Sequence, residues 1–496
     1  MSSTRTDNGE LARRVDAAIT AAGPGNRLRR GSLRFLRTVA LPVGIQGPTA
    51  GVIIGPAIIA GIVGEPGALA QVLALAAMSF VAYAFIRFSR SFNTAGSVYT
   101  YCAAAVGPGY GLVTAWLLLL VYTSFAAGVY AATADIAQTL LAAAGIHIGW
   151  LWLGLAGAAL AIALAYLSIG FSSLVILACE AAAIALIVVV AIAVLAAGGY
   201  HHHGLTAAPF GLHGVPLTVL ALGITAAFGQ FSGFEGAAAL GEETRDSTRI
   251  IPAAIGWSLA ASAAVYIFFT WIVYSAYPGP AGVAADPAPL VHVAGVYLGS
   301  GAGTAVNAAG TLSAFGAQLA CLNAAARLLF ALSREAGGSW AGLLARTSRR
   351  HGSPAAALTV VGAASVAALL ASGAERTATR AATLIIQYGA YLILAAYLMT
   401  VAAALAWTWR TGRRPVPLTV LAAGATILGY VLYRTFSPLP PAPFGAIALA
   451  AAASVVPAAA VLAIPGTLAR LRQSPLLAAT GAATPSDPAA RGAPEG

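Results

Sequence analysis

The most regular feature of this chain is a series of apolar runs, each about as long as a membrane is thick. A helix needs roughly 20 mostly apolar residues to cross about 30 Å of hydrocarbon. By that measure the sequence predicts twelve spans, at 40–64, 67–87, 110–140, 149–168, 172–198, 216–240, 252–276, 302–332, 355–373, 380–408, 416–434 and 443–466. The spans are expected to be helices, because no run alternates as a barrel strand does and a backbone in lipid must satisfy its own hydrogen bonds.

The composition agrees with a polytopic membrane protein. Of the 496 residues 59% are hydrophobic and only 8% are charged, a balance that no soluble domain needs. We therefore predict an all-α transmembrane domain over 39–470, lying in the bilayer of the cell membrane. Polar or small-residue-rich segments at 1–38 and 471–496 are interpreted as cytoplasmic tails, the second of them disordered.

The arginines predict the orientation of this domain. All 26 basic residues are arginine, and with twelve spans and cytoplasmic termini 23 of them fall on the cytoplasmic side. Cytoplasmic loops of membrane proteins are enriched in basic residues, so the net charge of +11 indicates topology and gives no sign of a nucleic-acid partner.

Two of the predicted spans carry residues that interrupt a helix. Span 1 has Gly47, Pro48 and Gly51 near its middle, and span 6 has Ser232 and Gly233. Glycine and proline are common in membrane helices, so one such span is weak evidence. Two interrupted spans in corresponding positions instead indicate a transporter site near the midplane, between halves at about 40–198 and 216–408, with 416–466 as extra helices.

Four segments resemble motifs of the amino acid–polyamine–organocation (APC) superfamily of permeases. They are TAGVIIGPA (49–57), AGSVYTYCAAAVGPGYGLVTAW (95–116), FSGFEGAAALGEETRDSTRIIPAAI (231–255) and LNAAARLLFALSREAG (322–337). They occur in family order and cover spans 1 to 8, whereas spans 9–12 are similar only in hydropathy. Two departures are Thr49, where the family has a glycine, and Ala336, which displaces the last glycine of the fourth motif.

The resemblance implies a LeuT-type core, an inverted repeat of five plus five helices in which helices 1 and 6 are broken, with two peripheral helices. It also implies a secondary transporter, or permease, for amino acids or related amines. Backbone amides at Thr49, Ala50 and Gly51 would then bind a substrate carboxylate at a helix N-terminus. Carbonyls at Ile45 and Gln46, and at Phe231 and Ser232 beside Gly233, would accept from an ammonium group. Phe231 is either the gate over the substrate or an ordinary packing residue.

Two acids lie well inside predicted spans, Glu180 in span 5 and Glu235 in span 6. A charge at the bilayer centre costs at least about 2.5–3.5 kcal/mol, so both are candidates for function and specifically for proton coupling. Some sodium-independent members of the superfamily carry a lysine where Glu180 stands, and this chain has no lysine. The alternative for each is structural: Glu235 bonded to backbone, and Glu180 bonded to a helix 1 or helix 8 group such as Ser313.

Other functions are less well supported by the residues. No filter repeat or ring of like charge indicates a channel, and no Ser-His pair or metal-ligand spacing within the spans indicates an enzyme, a metal or another cofactor. An exchanger without ion coupling, and a transporter-like nutrient sensor, stay open as alternatives. The expected partners are a small-molecule substrate and a coupling proton.

The arginine distribution predicts that both termini face the cytoplasm. The test places single cysteines in the N-terminal tail, in the loop 201–203 and in the C-terminal tail, and adds a membrane-impermeant thiol reagent to intact cells. Only the 201–203 position should be labelled. Labelling of either tail from outside would contradict the predicted topology.

Overall fold

The apolar runs of the sequence form long helices, as the need to satisfy backbone hydrogen bonds in lipid requires. The computed structural model describes residues 28–473 except 93, 203, 338, 349, 413 and 414. In chain order the helices are α1 (Phe35–Gln46), α2 (Pro48–Val63), α3 (Gly67–Ser89), α4 (Val98–Ala105), α5 (Pro108–Ala143), α6 (Trp150–Ala165), α7 (Ile169–Ala196), α8 (Leu217–Gln230), α9 (Ser247–Ser275), α10 (Pro280–Ala285), α11 (Pro289–Leu298), α12 (Ser300–Ala336), α13 (Ser339–Leu344), α14 (Ala355–Ala371), α15 (Ala378–Gly412), α16 (Pro415–Phe436), α17 (Phe444–Ala453), α18 (Val456–Ala463) and α19 (Thr467–Arg472).

Within the described residues, eleven helical spans are long and apolar enough to cross a membrane. In this count α1 with α2, α8 with the residues up to Leu240, and α17 with α18 each form one span. The predicted span 149–168 corresponds to α6, which is apolar but has only 16 residues. At 1.5 Å per residue α6 is about 24 Å long, shorter than a typical hydrocarbon core. The count of twelve therefore stays a prediction. The predicted tails fall largely on 1–27 and 474–496, which lie outside the described residues.

Span 1 is broken at one residue. Helix α1 ends at Gln46, Gly47 adopts a left-handed conformation with φ 50° and ψ 58°, and α2 begins at Pro48. A left-handed residue at a helix end is most often glycine, and proline is well suited to the first helical position because it needs no hydrogen-bond partner. The sequence GP at 47–48 thus ends one helix and starts the next within the membrane.

Span 6 is broken in a different way. Helix α8 ends at Gln230, a turn follows, and the chain resumes as 3-10 helix over Phe234–Leu240. Gly233 lies between the two parts with φ 116°, a conformation that L side chains rarely adopt. The break lies at the predicted Ser232 and Gly233.

Helix α12 lies at the centre of the helix bundle and packs against α1, α5 and α7, while α15 packs along α5. Small residues permit these close approaches. At Gly128 of α5, for example, an added Cβ would lie 2.5 Å from Cγ1 of Ile386 on α15. This packing fixes α5, α7, α9, α12 and α15 around the two broken spans.

A network of hydrogen bonds and ion pairs closes the face of the molecule at which α1 begins. We call this face the arginine-rich face. The Leu33 amide donates to the Glu243 carbonyl and the Arg245 amide donates to the Leu33 carbonyl, both at 3.0 Å. The Arg327 guanidinium pairs with Glu243, with Nε 2.5 Å from Oε2, and both side chains are about 98% buried. Arg334 pairs with Glu242 at 2.6 Å.

The opposite face carries the segment 281–300, for which the sequence suggests a short helix lying over the spans. The structure has two, α10 and α11, which pack on α2. Asp286 lies between them, and Tyr277, just before α10, donates to Asp286 Oδ2 at 2.7 Å. Burial and this hydrogen bond raise the pKa of Tyr277.

The Arg327–Glu243 pair generates a stability prediction. Replacing Glu243 with Ala leaves a buried guanidinium without its partner, which costs about 3–5 kcal/mol for buried pairs. We expect a clear fall in the thermal midpoint of detergent-purified protein. The double variant Glu243→Ala/Arg327→Met should recover part of that loss because no charge is left buried.

Glu375→Ala is the matched control, because Glu375 pairs with Arg380 at an exposed site and such pairs contribute little. A Glu243→Ala midpoint equal to that of the control would show that the buried pair does not hold the arginine-rich face together.

Candidate functional site

The two helix breaks lie against each other in the middle of the molecule. A Cβ on Gly233 would lie 2.5 Å from Cγ2 of Ile45 and 3.2 Å from the Gln46 amide. We call residues 45–51 and 231–235, together with the side chains that hydrogen-bond to them, the break site. All eight residues predicted from the sequence to contact the substrate belong to these two segments.

A carboxylate from α7 occupies the N-terminus of α2. Oε1 of Glu180 accepts from the Thr49 amide at 3.0 Å and from the Thr49 hydroxyl at 2.8 Å. The Ala50 amide donates to Ser313 Oγ of α12 at 3.1 Å, and the Gly51 amide donates to the Gly47 carbonyl at 2.9 Å. Since Pro48 has no amide hydrogen, each amide of the first turn of α2 already has a partner.

The Glu180 carboxylate is itself only partly satisfied. The residue is 3% exposed. Its second oxygen, Oε2, is buried without a hydrogen-bond partner, although the Ser313 hydroxyl lies close to the carboxylate. One oxygen thus holds α2 while the other remains able to take a proton or face a cation.

Glu235 holds the second break and is fully satisfied. Its Oε1 accepts from Tyr122 at 3.0 Å. Its Oε2 accepts from Tyr397 at 2.5 Å and from the Gly233 amide at 3.0 Å. With three donors on two oxygens at a site that is 0% exposed, this geometry matches the structural alternative for Glu235 better than a coupling role.

Two carbonyl groups of the break site, those of Gln46 and Phe231, also have side-chain partners. Tyr266 of α9 donates to the Gln46 carbonyl at 2.7 Å, and the Gln46 side chain donates to the Phe231 carbonyl at 3.2 Å. Ser262 donates to Oε1 of Gln46. The rings of Phe231 and Tyr266 meet edge to face with centroids 5.3 Å apart, and neither is exposed.

Three functional side chains of the break site are not among the residues predicted from the sequence, namely Ser262, Tyr266 and Tyr397. A signal for two of them is present in span 7, where a polar side chain recurs at every fourth position. These positions are Ser258, Ser262, Tyr266, Thr270 and Tyr274, and all five are buried. A spacing of four places them on one helix face, and that face contacts the break.

Other aromatic and polar side chains of spans 3 and 10 have different surroundings. Tyr122 contacts Glu235 as described above. Trp116 donates to the Ser454 carbonyl at 2.8 Å, and Tyr388 lies 2.6 Å from the Ser454 hydroxyl. Trp116 and Tyr388 therefore fasten the end of α17 to the core.

A cavity of about 310 Å³ lies at the face opposite the arginine-rich face. Its lining includes Glu65, Tyr274 and Ser275, at the ends of α2 and α9. Tyr274 is eight residues beyond Tyr266, or about 12 Å along the helix. The polar stripe of α9 thus connects the level of the break site with this cavity.

The break site is built from polar side chains and backbone groups. In the part of the chain that the structure describes, no three His, Cys, Asp or Glu side chains group as metal ligands. The groups that meet at the breaks are hydroxyls, carboxylates, one amide side chain and backbone.

Comparison with solved structures identifies a protein with a similar fold. The chain is similar to a Na⁺-coupled sialic acid symporter in a substrate-bound, outward-open state, with a TM-score of 0.50 and 13% identity. The alignment covers 87% of this chain and 97% of the symporter. At this identity the likeness concerns the fold alone. It confirms the predicted all-helical, LeuT-type fold, whereas the inverted repeat of five plus five helices stays a prediction.

Comparison of sequences places the family. No curated protein sequence matched the chain. The family model described as amino acid permease matches residues 33–477, nearly the whole of it. With the helices described above, this match makes the protein a multi-pass membrane transporter. The predicted APC resemblance is confirmed: the chain belongs to the amino acid permease family.

Proposed function

We propose that this protein is a secondary active transporter, a permease that moves amino acids or related organic amines across the cell membrane by alternating access, coupled to protons. The observation that carries the proposal is the meeting of two broken spans, each held by a buried glutamate, at the centre of the bundle. Transport sites near the midplane are formed by such discontinuous helices.

Substrate would bind between the breaks, at residues 49–51 of α2 and 231–233 after α8. Phe231 packs edge to face against Tyr266 and would act as the gate over the bound substrate. The cavity beside Glu65 and Tyr274 would be the entrance from one face, and the network at Glu243 and Arg327 would close the other.

Glu180 is the better supported of the two coupling candidates. A proton on its carboxyl weakens the charge-assisted hydrogen bonds from Thr49, because ionised acceptors bind roughly twice as strongly as neutral ones. Protonation would therefore loosen the start of α2 and link the proton to the movement of helix 1. Both carboxylate oxygens of Glu235 already accept hydrogen bonds, so Glu235 would serve to hold the second break.

The test of the function is transport by purified protein in liposomes. Radiolabelled alanine, leucine and lysine, and the amines ethylamine, 3-methylbutylamine and cadaverine, are offered with and without an imposed proton gradient in either direction. Accumulation that depends on the proton gradient supports coupled transport. Exchange that does not depend on it would leave an uncoupled exchanger, and no uptake of any compound would contradict the proposed function.

A substitution at Gly51 should abolish uptake while the protein stays in the membrane. A Cβ at Gly51 would lie 2.6 Å from Cε1 of Tyr266 and 3.0 Å from its hydroxyl, so Gly51→Val displaces Tyr266 from the Gln46 carbonyl. Gly61→Val in the same helix is the matched control, because a Cβ there meets nothing within 4 Å. Uptake by Gly51→Val equal to that by the control would remove helix 1 from the site.

A substitution at Glu180 should separate coupling from binding. Gln keeps an oxygen that accepts from Thr49 but cannot carry the proton, so Glu180→Gln should exchange substrate across the liposome membrane and fail to accumulate it. Because Gln has no charge, exchange of a cationic substrate should need a higher substrate concentration than in the wild type. Glu235→Gln is the comparison, since an amide nitrogen cannot accept from Tyr397 or Gly233 and the expected effect is a lower yield of folded protein. Accumulation by Glu180→Gln under a proton gradient would exclude Glu180 as the coupling residue.

A further inference from the structure

The N-terminus of α2 is the place where a substrate carboxylate is expected to bind, and a carboxylate of the protein already fills it. Glu180 takes the Thr49 amide and hydroxyl, and Ser313 takes the Ala50 amide. Pro48 has no amide to offer, and the Gly51 amide is bonded within the helix. A second carboxylate arriving here would find no free donor in the first turn.

The second break offers no alternative. The Gly233 amide, which follows the interruption of span 6, donates to Glu235 and also lies 3.3 Å from the Tyr397 hydroxyl. The Gly236 amide is bonded to the Gly233 carbonyl. Of these two amides, one is thus held by the protein's own acid and the other by a backbone carbonyl.

No basic group compensates for these two acids. The chain has no lysine, and in the part of it that is described no arginine or histidine hydrogen-bonds to a residue of the break site. Arg327 is the basic residue deepest in span 8, and it is paired with Glu243. Burying an anion without a partner is strongly unfavourable, and Glu180 adds like-charge repulsion.

A cation meets the opposite conditions. Oε2 of Glu180 is buried without a hydrogen-bond partner, and it can face a positive charge at short range. The Phe231 and Tyr266 rings, which meet edge to face at the break site, are surfaces on which an alkylammonium can pack. Both features favour a positively charged group, and neither favours a zwitterion over a simple amine.

Resting on the proposed function, we propose that the substrates of this protein are organic amines without an α-carboxylate, and that Glu180 stands in the place of that carboxylate. The protein would then discriminate between an amino acid and its decarboxylated counterpart. Glu180 is the residue that sets this choice, because it occupies the donors that an amino acid would need.

Matched pairs that differ only by the carboxylate test this inference. The pairs are alanine with ethylamine, leucine with 3-methylbutylamine, and lysine with cadaverine. From the pair that contains the best substrate of the liposome screen, each compound is added in turn at increasing concentration, and its inhibition of labelled-substrate uptake is measured. The amine should inhibit at a concentration at least about tenfold lower than the amino acid, which corresponds to 1.4 kcal/mol. An amino acid that inhibits as well as its amine, or better, would overturn the inference and leave the transport function standing.

The variant Glu180→Ala tests the role of the carboxylate itself. It frees the Thr49 amide and removes a negative charge, so the ratio of amine to amino acid inhibition should shift toward the amino acid. A purely structural Glu180 would weaken both compounds equally and leave the ratio unchanged, which would overturn the assignment. Glu375→Ala, at an exposed site, is the control. If no compound of the screen is transported by the wild type, the proposed function fails and this inference fails with it.

Discussion

A helix interrupted within hydrocarbon exposes amides and carbonyls that water cannot reach, and each of them must find a partner inside the protein. In this transporter the requirement is met mainly by Glu180 and Glu235, one at each break. Glu180 lies on α7 and Glu235 lies within span 6. Helices α5, α9, α12 and α15 supply hydroxyls that hydrogen-bond to Glu235 or to the backbone of the breaks. The positions of these helices around the breaks follow from the need to satisfy the broken backbone.

The two glutamates differ in how many of their own carboxylate oxygens have hydrogen-bond donors. Glu235 has three donors for two oxygens, and so it behaves as a fixed part of the turn. Glu180 has donors on one oxygen only. Buried polar groups that are fully bonded make a structure rigid, whereas a group with one unsatisfied oxygen can change its state. The difference between the two breaks is therefore also a difference in the capacity to respond to ligands.

Much of the fold was predictable because it depends on local signals. The lengths of the apolar runs predict the helices, and the Gly47-Pro48 pair predicts the break between α1 and α2. Contacts between distant spans were less accessible. The pairing of Glu242 with Arg334, 92 residues apart, depends on how the turn after span 6 lies against α12, which hydropathy does not specify. Tyr266 could have been found from the fourfold polar spacing in span 7, whereas Tyr397 stands in an otherwise apolar turn and gave no such signal.

The junction between Leu33 and the segment 243–245 has a consequence for how the sequence can vary. Both of its hydrogen bonds join main-chain atoms, so they are indifferent to the side chains at these positions. Proline at 33 or at 245 is the one substitution that removes a donor outright. Relatives can thus carry other side chains at positions 33 and 245 and still keep the first span tied to the sixth. A search for shared residues would not detect this tie.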